Sequence, residues 1–346
     1  LLGHCHPRII NALEHQAHRL WHVSNLFITG PQVELAERLA RHGFADRFFF
    51  CNSGAEANEA ALKLARRYAR DRGEDRFEFI AFEGGFHGRT LFTLSATGTP
   101  AYWAGFEPLV PGFHHVAYGD LAATQERLSD RTAAIIVEPV QGENGVRPAP
   151  AGFLSGLREL ADRNGCLLIM DEVQTGMGRT GPLFAHQDSG VEPDMMTLAK
   201  AMANGLPLGA LCTTESIAES LIPGTHGSTF GGNPLATAVA CAVLDELVEG
   251  GVLDHAKEVG HYMGEQLEAL AGRVGKDRVV ETRGLGHLRA LELTGPAGPV
   301  IDRCREAGVL VISAGANVVR LAPALILTRD EVDEGLAGLE EALSAA

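Results

Sequence analysis

The sequence contains no apolar run near the ~18 residues that a membrane-spanning helix requires, and no leader with a basic start, an apolar middle and a small-residue cleavage site. Nothing in it predicts export or a place in a membrane. Cysteine is scarce and scattered: six in 346 residues, at Cys5, Cys51, Cys166, Cys212, Cys241 and Cys304, with no Cys-x-x-Cys pair. This argues against a disulfide framework, and several of the six lie in apolar runs, which suits small buried hydrophobes in a reducing compartment. A cytoplasmic location is predicted. Positive charge is short as well. Lys and Arg number 29 against 44 Asp and Glu, a net charge of −15, and such a surface repels phosphate backbones, which counts against a nucleic-acid partner. The same excess of acid works against anionic substrates, so carboxylate recognition must come from individually placed arginines. Long internal repeats, low-complexity tracts and obvious flexible linkers are missing too.

What is present is the composition of an ordinary globular enzyme. Hydrophobic residues make up 45% and charged residues 21%, and a chain of 346 residues can build a sizeable core and two domains. Glycine is the one excess, at 41 residues, about 12% against a usual ~7%. It gathers in loops between apolar runs, as in an α/β protein with many tight strand-to-helix turns.

The chain is organised around Leu167 to Lys200. Leu167-Leu168-Ile169-Met170 reads as a strand ending on Asp171, and Met195-Met196-Thr197-Leu198-Ala199 as a second strand closed by Lys200. Either charge could merely mark where a strand leaves the core. In open α/β sheets, however, ligands bind beyond the carboxyl ends of the strands. Gln174, one helical turn beyond Asp171, and the Gly-Leu-Pro loop after Lys200 favour a site. An amine and a carboxylate so placed suit pyridoxal phosphate chemistry. There a lysine forms a Schiff base with the cofactor aldehyde, and a carboxylate raises the pKa of the pyridine nitrogen so that the ring becomes an electron sink.

Pro7 to His22 carries apolar residues at helical spacing after a proline start. His4, Cys5 and His6 beside it could be taken for metal ligands. Adjacent residues of an extended segment point to opposite faces, and no further ligand set is near, so no metal site is predicted. A helix over Val33 to His42 and a strand over Arg47 to Cys51 precede Asn52-Ser53-Gly54-Ala55-Glu56-Ala57-Asn58 and a periodic helix, Ala60 to Ala69. Strand, Ser-Gly turn and helix can receive a phosphate on free N–H groups and the helix dipole. An ordinary N-cap by Ser53 or Asn52 fits the same residues.

The strand Phe77 to Phe82 leads into Gly84-Gly85-Phe86-His87-Gly88-Arg89-Thr90, where Phe86 can offer a flat face to a ring and Arg89 a fork to a carboxylate. Ala133 to Val137 is a buried strand ending in Glu138-Pro139-Val140-Gln141-Gly142-Glu143-Asn144-Gly145, a loop that suits a site or plain turn chemistry. Gly152 to Asn164 reads as a helix. Gly176-Met177-Gly178-Arg179-Thr180-Gly181 matches G-x-G-x-x-G, but Pro182 and a non-periodic stretch follow where a helix should begin, so a dinucleotide turn is set aside.

After a strand over Leu208 to Thr213, the loop Gly224 to Pro234 is dense in hydroxyls and glycines. Its Ser228 and Thr229 make a second candidate phosphate contact, and a long helix follows from Leu235 to Glu249. From Gly250 the texture changes. A helix over His255 to Leu270, strands over Val279 to Thr282 and Leu288 to Glu292, and a helix over Pro299 to Ala307 are expected. Strands over Val309 to Ile312 and Val318 to Leu321 and a closing helix from Arg329 complete a small α+β unit.

In this order the motifs resemble one family, the class III, fold-type I pyridoxal-phosphate aminotransferases, and most closely the N-acetylornithine aminotransferases. The likeness runs from Leu2-Gly3-His4-Cys5-His6-Pro7 to Val319-Arg320-Leu321-Ala322-Pro323. It implies an α/β fold: a large domain, residues 1–250, with a mainly parallel seven-stranded sheet flanked by helices, and a small α+β domain, residues 251–346. Residues 1–25 would form a leading helix and a dimer and site segment.

The resemblance also implies pyridoxal 5'-phosphate as cofactor. Lys200 would be the Schiff-base lysine, Asp171 the partner of the pyridine nitrogen, Gln174 a contact on the ring hydroxyl side and Phe86 the stacking ring. Ser53, Gly54 and Ala55 would hold the phosphate. Thr229, next to Ser228, would reach the phosphate of the neighbouring subunit, so that a homodimer completes the site. Arg89 would hold a carboxylate common to the amino donor and glutamate, and Arg320 the α-carboxylate of 2-oxoglutarate. Glu143 would pair with Arg320 when the substrate has no carboxylate there.

The implied reaction moves the δ-amino group of N-acetylornithine to 2-oxoglutarate by a ping-pong mechanism in arginine biosynthesis. Succinylornithine, succinyl-diaminopimelate and lysine-pathway analogues are alternative substrates, with free ornithine less favoured. Glutamate-1-semialdehyde aminomutase and an inactive remnant of the fold are alternatives of other classes. Two departures stand out. Asn144 occupies a position where the family usually has glycine. The family also carries a segment ahead of the Leu-Gly-His motif that is missing here, so either a fragment or a naturally shortened form is expected.

Overall fold

Thr132–Val137 reads Thr-Ala-Ala-Ile-Ile-Val and is buried throughout, as are Leu167–Asp171, Met195–Leu198 and Gly209–Thr213. Continuous burial of short β-branched or apolar runs belongs to strands covered on both faces by helices. The structure, a computed structural model describing residues 1–344, builds that arrangement.

In chain order, α1 (Pro7–Ala17) and α2 (Gly30–His42) lead to β1 (Arg47–Cys51), α3 (Gly54–Asp71), β2 (Glu78–Phe82), α4 (Leu91–Ala96), β3 (Phe113–Val116), α5 (Leu121–Arg127) and β4 (Thr132–Val137). A short hairpin follows, β5 (Val140–Gln141) with β6 (Arg147–Pro148). Then come α6 (Phe153–Asn164), β7 (Leu167–Asp171), α7 (His186–Ser189), β8 (Met195–Leu198), β9 (Gly209–Thr213), α8 (Glu215–Ala218) and α9 (Pro234–Val248). The last stretch holds α10 (Val252–Val274), β10 (Val279–Leu285), β11 (Leu288–Leu293), α11 (Gly298–Glu306), β12 (Ile312–Ser313), β13 (Val318–Leu321) and α12 (Arg329–Ser344).

The first sheet has seven strands in the order β1-β9-β8-β7-β4-β2-β3. Strands β8, β7, β4, β2 and β3 are mutually parallel. β9 runs antiparallel to both β8 and β1, so β1 points the same way as the parallel set and β9 alone is reversed. The carboxyl ends of β1, β2, β4, β7 and β8 therefore open on one edge, where ligands of doubly wound sheets bind. Helix α3 packs across this sheet through Ala60, Ala61, Leu64 and Ala65, against Phe79, Ala134 and Ile169. α6 covers the other face through Phe153, Leu157 and Ala161. A four-stranded antiparallel sheet, β10-β11-β13-β12, carries α10, α11 and α12 on one side.

The expected α/β architecture with a seven-stranded, mainly parallel sheet is present. Some expectations need correction. The strand expected over Val309 to Ile312 shrinks to Ile312–Ser313. Its pairing sets Ile312 opposite Arg320 and Ser313 opposite Val319, so continuing it backwards would oppose Val309 to Pro323, which has no N–H to donate. The first helix stops at Ala17 rather than His22. Trp21 turns back and its indole donates to the freed Ala17 carbonyl at 2.6 Å. The helix expected from Ala60 starts at Gly54, and β3, α4 and α5 are additions to the expected elements.

Candidate active site

Asp171 ends β7 with its carboxylate almost fully buried. Oδ2 accepts from Asn58 Nδ2 and pairs with His87 Nδ1, both at 2.8 Å, and Oδ1 accepts from the Val173 N–H at 3.0 Å. Asn58 comes from α3 and is itself fixed, since Thr197 Oγ1 of β8 donates to its Oδ1 at 2.8 Å. His87 is buried. Burial alone would lower its pKa, but the hydrogen bond and charge of Asp171, helped by Glu138, outweigh that and hold it above the ordinary value.

Glu138 stands one residue beyond β4. Its Oε2 accepts from the Phe86 N–H at 2.9 Å, fixing the loop that presents the Phe86 ring. Burial pushes its pKa up to about 7, against the pull of His87; Asp171 pushes it further, while the Phe86 N–H and Lys200 draw it down.

Lys200 follows β8 at φ 41° and opens a short 3-10 turn, Lys200–Ala203. It shares with Asp171 a cavity of about 410 Å3, within the usual ligand-pocket range. Ser53, Gly54 and Ala55 enter the same cavity from the start of α3. Ser53 Oγ accepts from the Glu56 N–H at 3.2 Å, an N-cap, and the Glu56 carboxylate reaches back to accept from the N–H of Asn52, the residue before the cap. The N-cap reading is thus correct, and it leaves the first-turn N–H groups of Gly54 and Ala55 without intrahelical partners. A Cβ on Gly54 would come within 2.7 Å of Val173, so glycine is needed for this approach.

Phe86 and Arg89 also line the cavity. The Arg89 guanidinium lies 5.4 Å from the Phe86 ring centroid and 4.2 Å from that of Tyr102, a cation–π contact that aims the fork. Gln174 Nε2 donates to Glu143 Oε1 at 3.1 Å, and its Oε1 is buried without a partner among the described residues. Glu143 meets Arg320 at 2.8 Å. Burial would raise the Glu143 pKa, but the Arg320 bond and charge, with Gln174, hold it below the ordinary range. Arg320 is buried; its Nη1 also donates to the Gly142 carbonyl at 2.8 Å, while Nε has no partner among the described residues.

The Family profile for class-III aminotransferases matches residues 1–343. The chain is a class-III aminotransferase. Acetylornithine aminotransferase of Myxococcus xanthus is 51% identical over 96% of this chain and 83% of its own length. Succinylornithine transaminase of Salmonella typhimurium is 50% identical over 97% of this chain and 83% of its own. Among solved structures, ornithine aminotransferase of Toxoplasma gondii, which has pyridoxal phosphate at partial occupancy in its active site, superposes with a TM-score of 0.94. It shares 36% identity, covering 99% of this chain and 83% of that one.

Within one chain of this aminotransferase, Ser228 and Thr229 do not join Lys200. They line a separate cavity of about 510 Å3 with Phe49, Glu59, Lys63 and His226, and Ser228 Oγ accepts from Asn52 Nδ2 at 3.2 Å. Sequence reasoning missed Asn58, His87, Tyr102, Glu138 and Thr197 as site residues. His87 and Glu138 stood inside loops that were singled out, and Asn58 closed the Ser-Gly segment; Tyr102 gave no signal. Among the described residues no group of three or more His, Cys, Asp or Glu could hold a metal ion, and no helix is long and apolar enough to cross a membrane.

Proposed function

We propose that this aminotransferase moves the δ-amino group of N-acetylornithine to 2-oxoglutarate, giving N-acetylglutamate 5-semialdehyde and glutamate, as a cytoplasmic step of arginine biosynthesis. The observation that carries this reading is the Glu143–Arg320 pair at 2.8 Å, with Glu143 lining the cavity of Lys200 and Asp171. Closed, the pair neutralises one end of the site for a donor with a single carboxylate and a neutral acyl group. Open, it frees a buried guanidinium for the second carboxylate of an oxo diacid. One site then meets two charge patterns, as a ping-pong exchange between these substrates demands.

The residues fit pyridoxal 5'-phosphate. Gly54 and Ala55 offer N–H groups and a helix dipole to its phosphate, with Ser53 beside them. Phe86 would lie against the ring, Asp171 at its nitrogen, and the buried Gln174 amide, with one atom unpartnered, on its hydroxyl side. Bound there, the cofactor supplies an electron sink for the carbon whose proton is removed. Asp171, fixed by Asn58 and His87, would keep a proton on the ring nitrogen. Lys200 Nζ takes the proton from the substrate carbon and returns one as general acid. Arg89 would grip the carboxylate common to donor and glutamate. Residues 1–250 are taken as the cofactor-binding domain and 251–346 as the smaller one. Ser228 and Thr229 would serve a second copy in a homodimer.

N-succinylornithine is the second reading, favoured by the 50% identity to the Salmonella enzyme. A half-reaction screen separates them: each amino donor is mixed with the cofactor-loaded enzyme and the loss of its visible band is followed. N-acetylornithine is expected to give the highest kcat/KM, ahead of N-succinylornithine and far ahead of ornithine. Turnover that needs no oxo acid would sink the transamination reading.

A further inference from the structure

The gate carboxylate sits on an unusual support. Glu143 lies in the five-residue loop of the β5–β6 hairpin, whose ladder is only Val140 with Pro148 and Gln141 with Arg147. Two pairs hold a hairpin weakly, so its position must be fixed from outside. Val146 adopts φ 52°, costly for a β-branched residue, and is buried among Leu288, Ala290 and Val318 of the four-stranded sheet. Arg147 pairs with Glu292 at 3.3 Å.

The strongest hold is Arg283 of β10. Its side chain is only 10% exposed, its Nε donates to the Gly145 carbonyl at 2.6 Å, and Nη1 bonds Glu292 at 2.6 Å and also Glu281. Gly145 is at φ 87°, and a Cβ there would come within 2.7 Å of Arg283 Nη2. The guanidinium therefore grips the loop backbone two residues past the gate, by a charge-assisted bond inside a carboxylate cluster. On its other flank Asn144 covers Gly84 and donates to Gln141 Oε1 at 3.1 Å, while Gln141 donates to the Glu83 carbonyl at 2.9 Å.

We propose that Arg283 is a positioning residue which sets how readily Glu143 leaves Arg320, and so sets the balance of affinity between the acyl-diamine donor and the oxo diacid. The inference rests on the gated reading of the site given above. Releasing Gly145 lets the loop drift, the closed pair is populated less, and Arg320 is free more of the time. The donor that needs the closed pair loses affinity, whereas 2-oxoglutarate does not.

The test uses the cofactor-loaded enzyme and the two half-reactions, with N-acetylornithine and 2-oxoglutarate as probes. Arg283→Lys keeps the charge beside Glu292 but loses the planar fork that reaches Gly145; Arg283→Gln removes the charge as well. Both are expected to raise KM for N-acetylornithine relative to that for 2-oxoglutarate by roughly tenfold, the size of one charge-assisted hydrogen bond, with kcat and the cofactor's visible spectrum little changed. Glu143→Gln should shift the ratio the same way, and Arg283→Lys should add nothing in that background. Equal losses in both half-reactions, or a full further shift in the Glu143→Gln background, would overturn the positioning role alone. A Glu143→Gln enzyme with an unshifted ratio would overturn the gated reading and the inference with it.

Discussion

At the scale of the residue, Lys200 shows what the site asks of the backbone. Its left-handed φ of 41° costs about 1–3 kcal/mol in a non-glycine residue, held by the strand before it and the tight turn after it. Lys200→Ala is expected to fold, to lose the visible absorbance of lysine-bound cofactor and to lose transamination; a variant that still turns over would remove Lys200 from the reaction. Glu138 makes a second residue-scale prediction. Its carboxyl, ordinarily near 4.5, is raised to about 7 in the fold. Between those values the unfolded chain has already released the proton that the native protein keeps, so this group lowers stability progressively as pH rises through that window. Glu138→Gln removes the titration. Thermal unfolding of variant and wild type from pH 4.5 to 8 should show the variant gaining relative stability with rising pH; a constant difference would count against the buried, protonated state.

At the scale of the element, the start of α3 unites two readings that the sequence left side by side. Ser53 caps the helix and the same turn faces the Lys200 cavity. Ser53→Ala should cost about 1 kcal/mol of stability and weaken pyridoxal phosphate while leaving pyridoxal, which lacks the phosphate, nearly unaffected. Equilibrium binding of the two compounds checks it, and equal losses for both would put the phosphate elsewhere. Ser53, Asp171, Glu143 and Lys200 were legible because each follows an apolar run or sits in a polar loop after one, a local pattern. Asn58 and His87 were not legible as holders of Asp171, because they meet it across 113 and 84 residues of chain. β3, Phe-His-His-Val, escaped because it is an edge strand, half-buried along most of its length, with two histidines in its four residues. The strand expected over Val309 to Ile312 showed the opposite failing: the residues favour a strand, and the partner supplies a proline.

At the scale of the whole molecule, the shared direction of six strands among seven brings the carboxyl ends of β1, β2, β4, β7 and β8, and the loops that follow them, to a single edge. The same molecule exposes a run of apolar side chains. Leu26, Phe27 and Ile28 are 89%, 63% and 87% exposed, and Asn25 ties the run to the Ser228–Thr229 loop by donating to the Ser228 carbonyl at 2.8 Å. Under the homodimer proposal a second copy covers this run. Phe27→Asp should then sediment as a monomer at micromolar concentration and release cofactor more readily; a dimer that persists with unchanged cofactor retention would place the interface elsewhere.

Thr229 and Lys200 line different hollows of one chain. If the hydroxyl belongs to the opposite molecule's phosphate, two preparations, each ruined by a single change at one of these positions, ought to rescue one another when their subunits are shuffled. Each hybrid would carry one intact centre and one doubly broken one, and activity would return from two dead proteins.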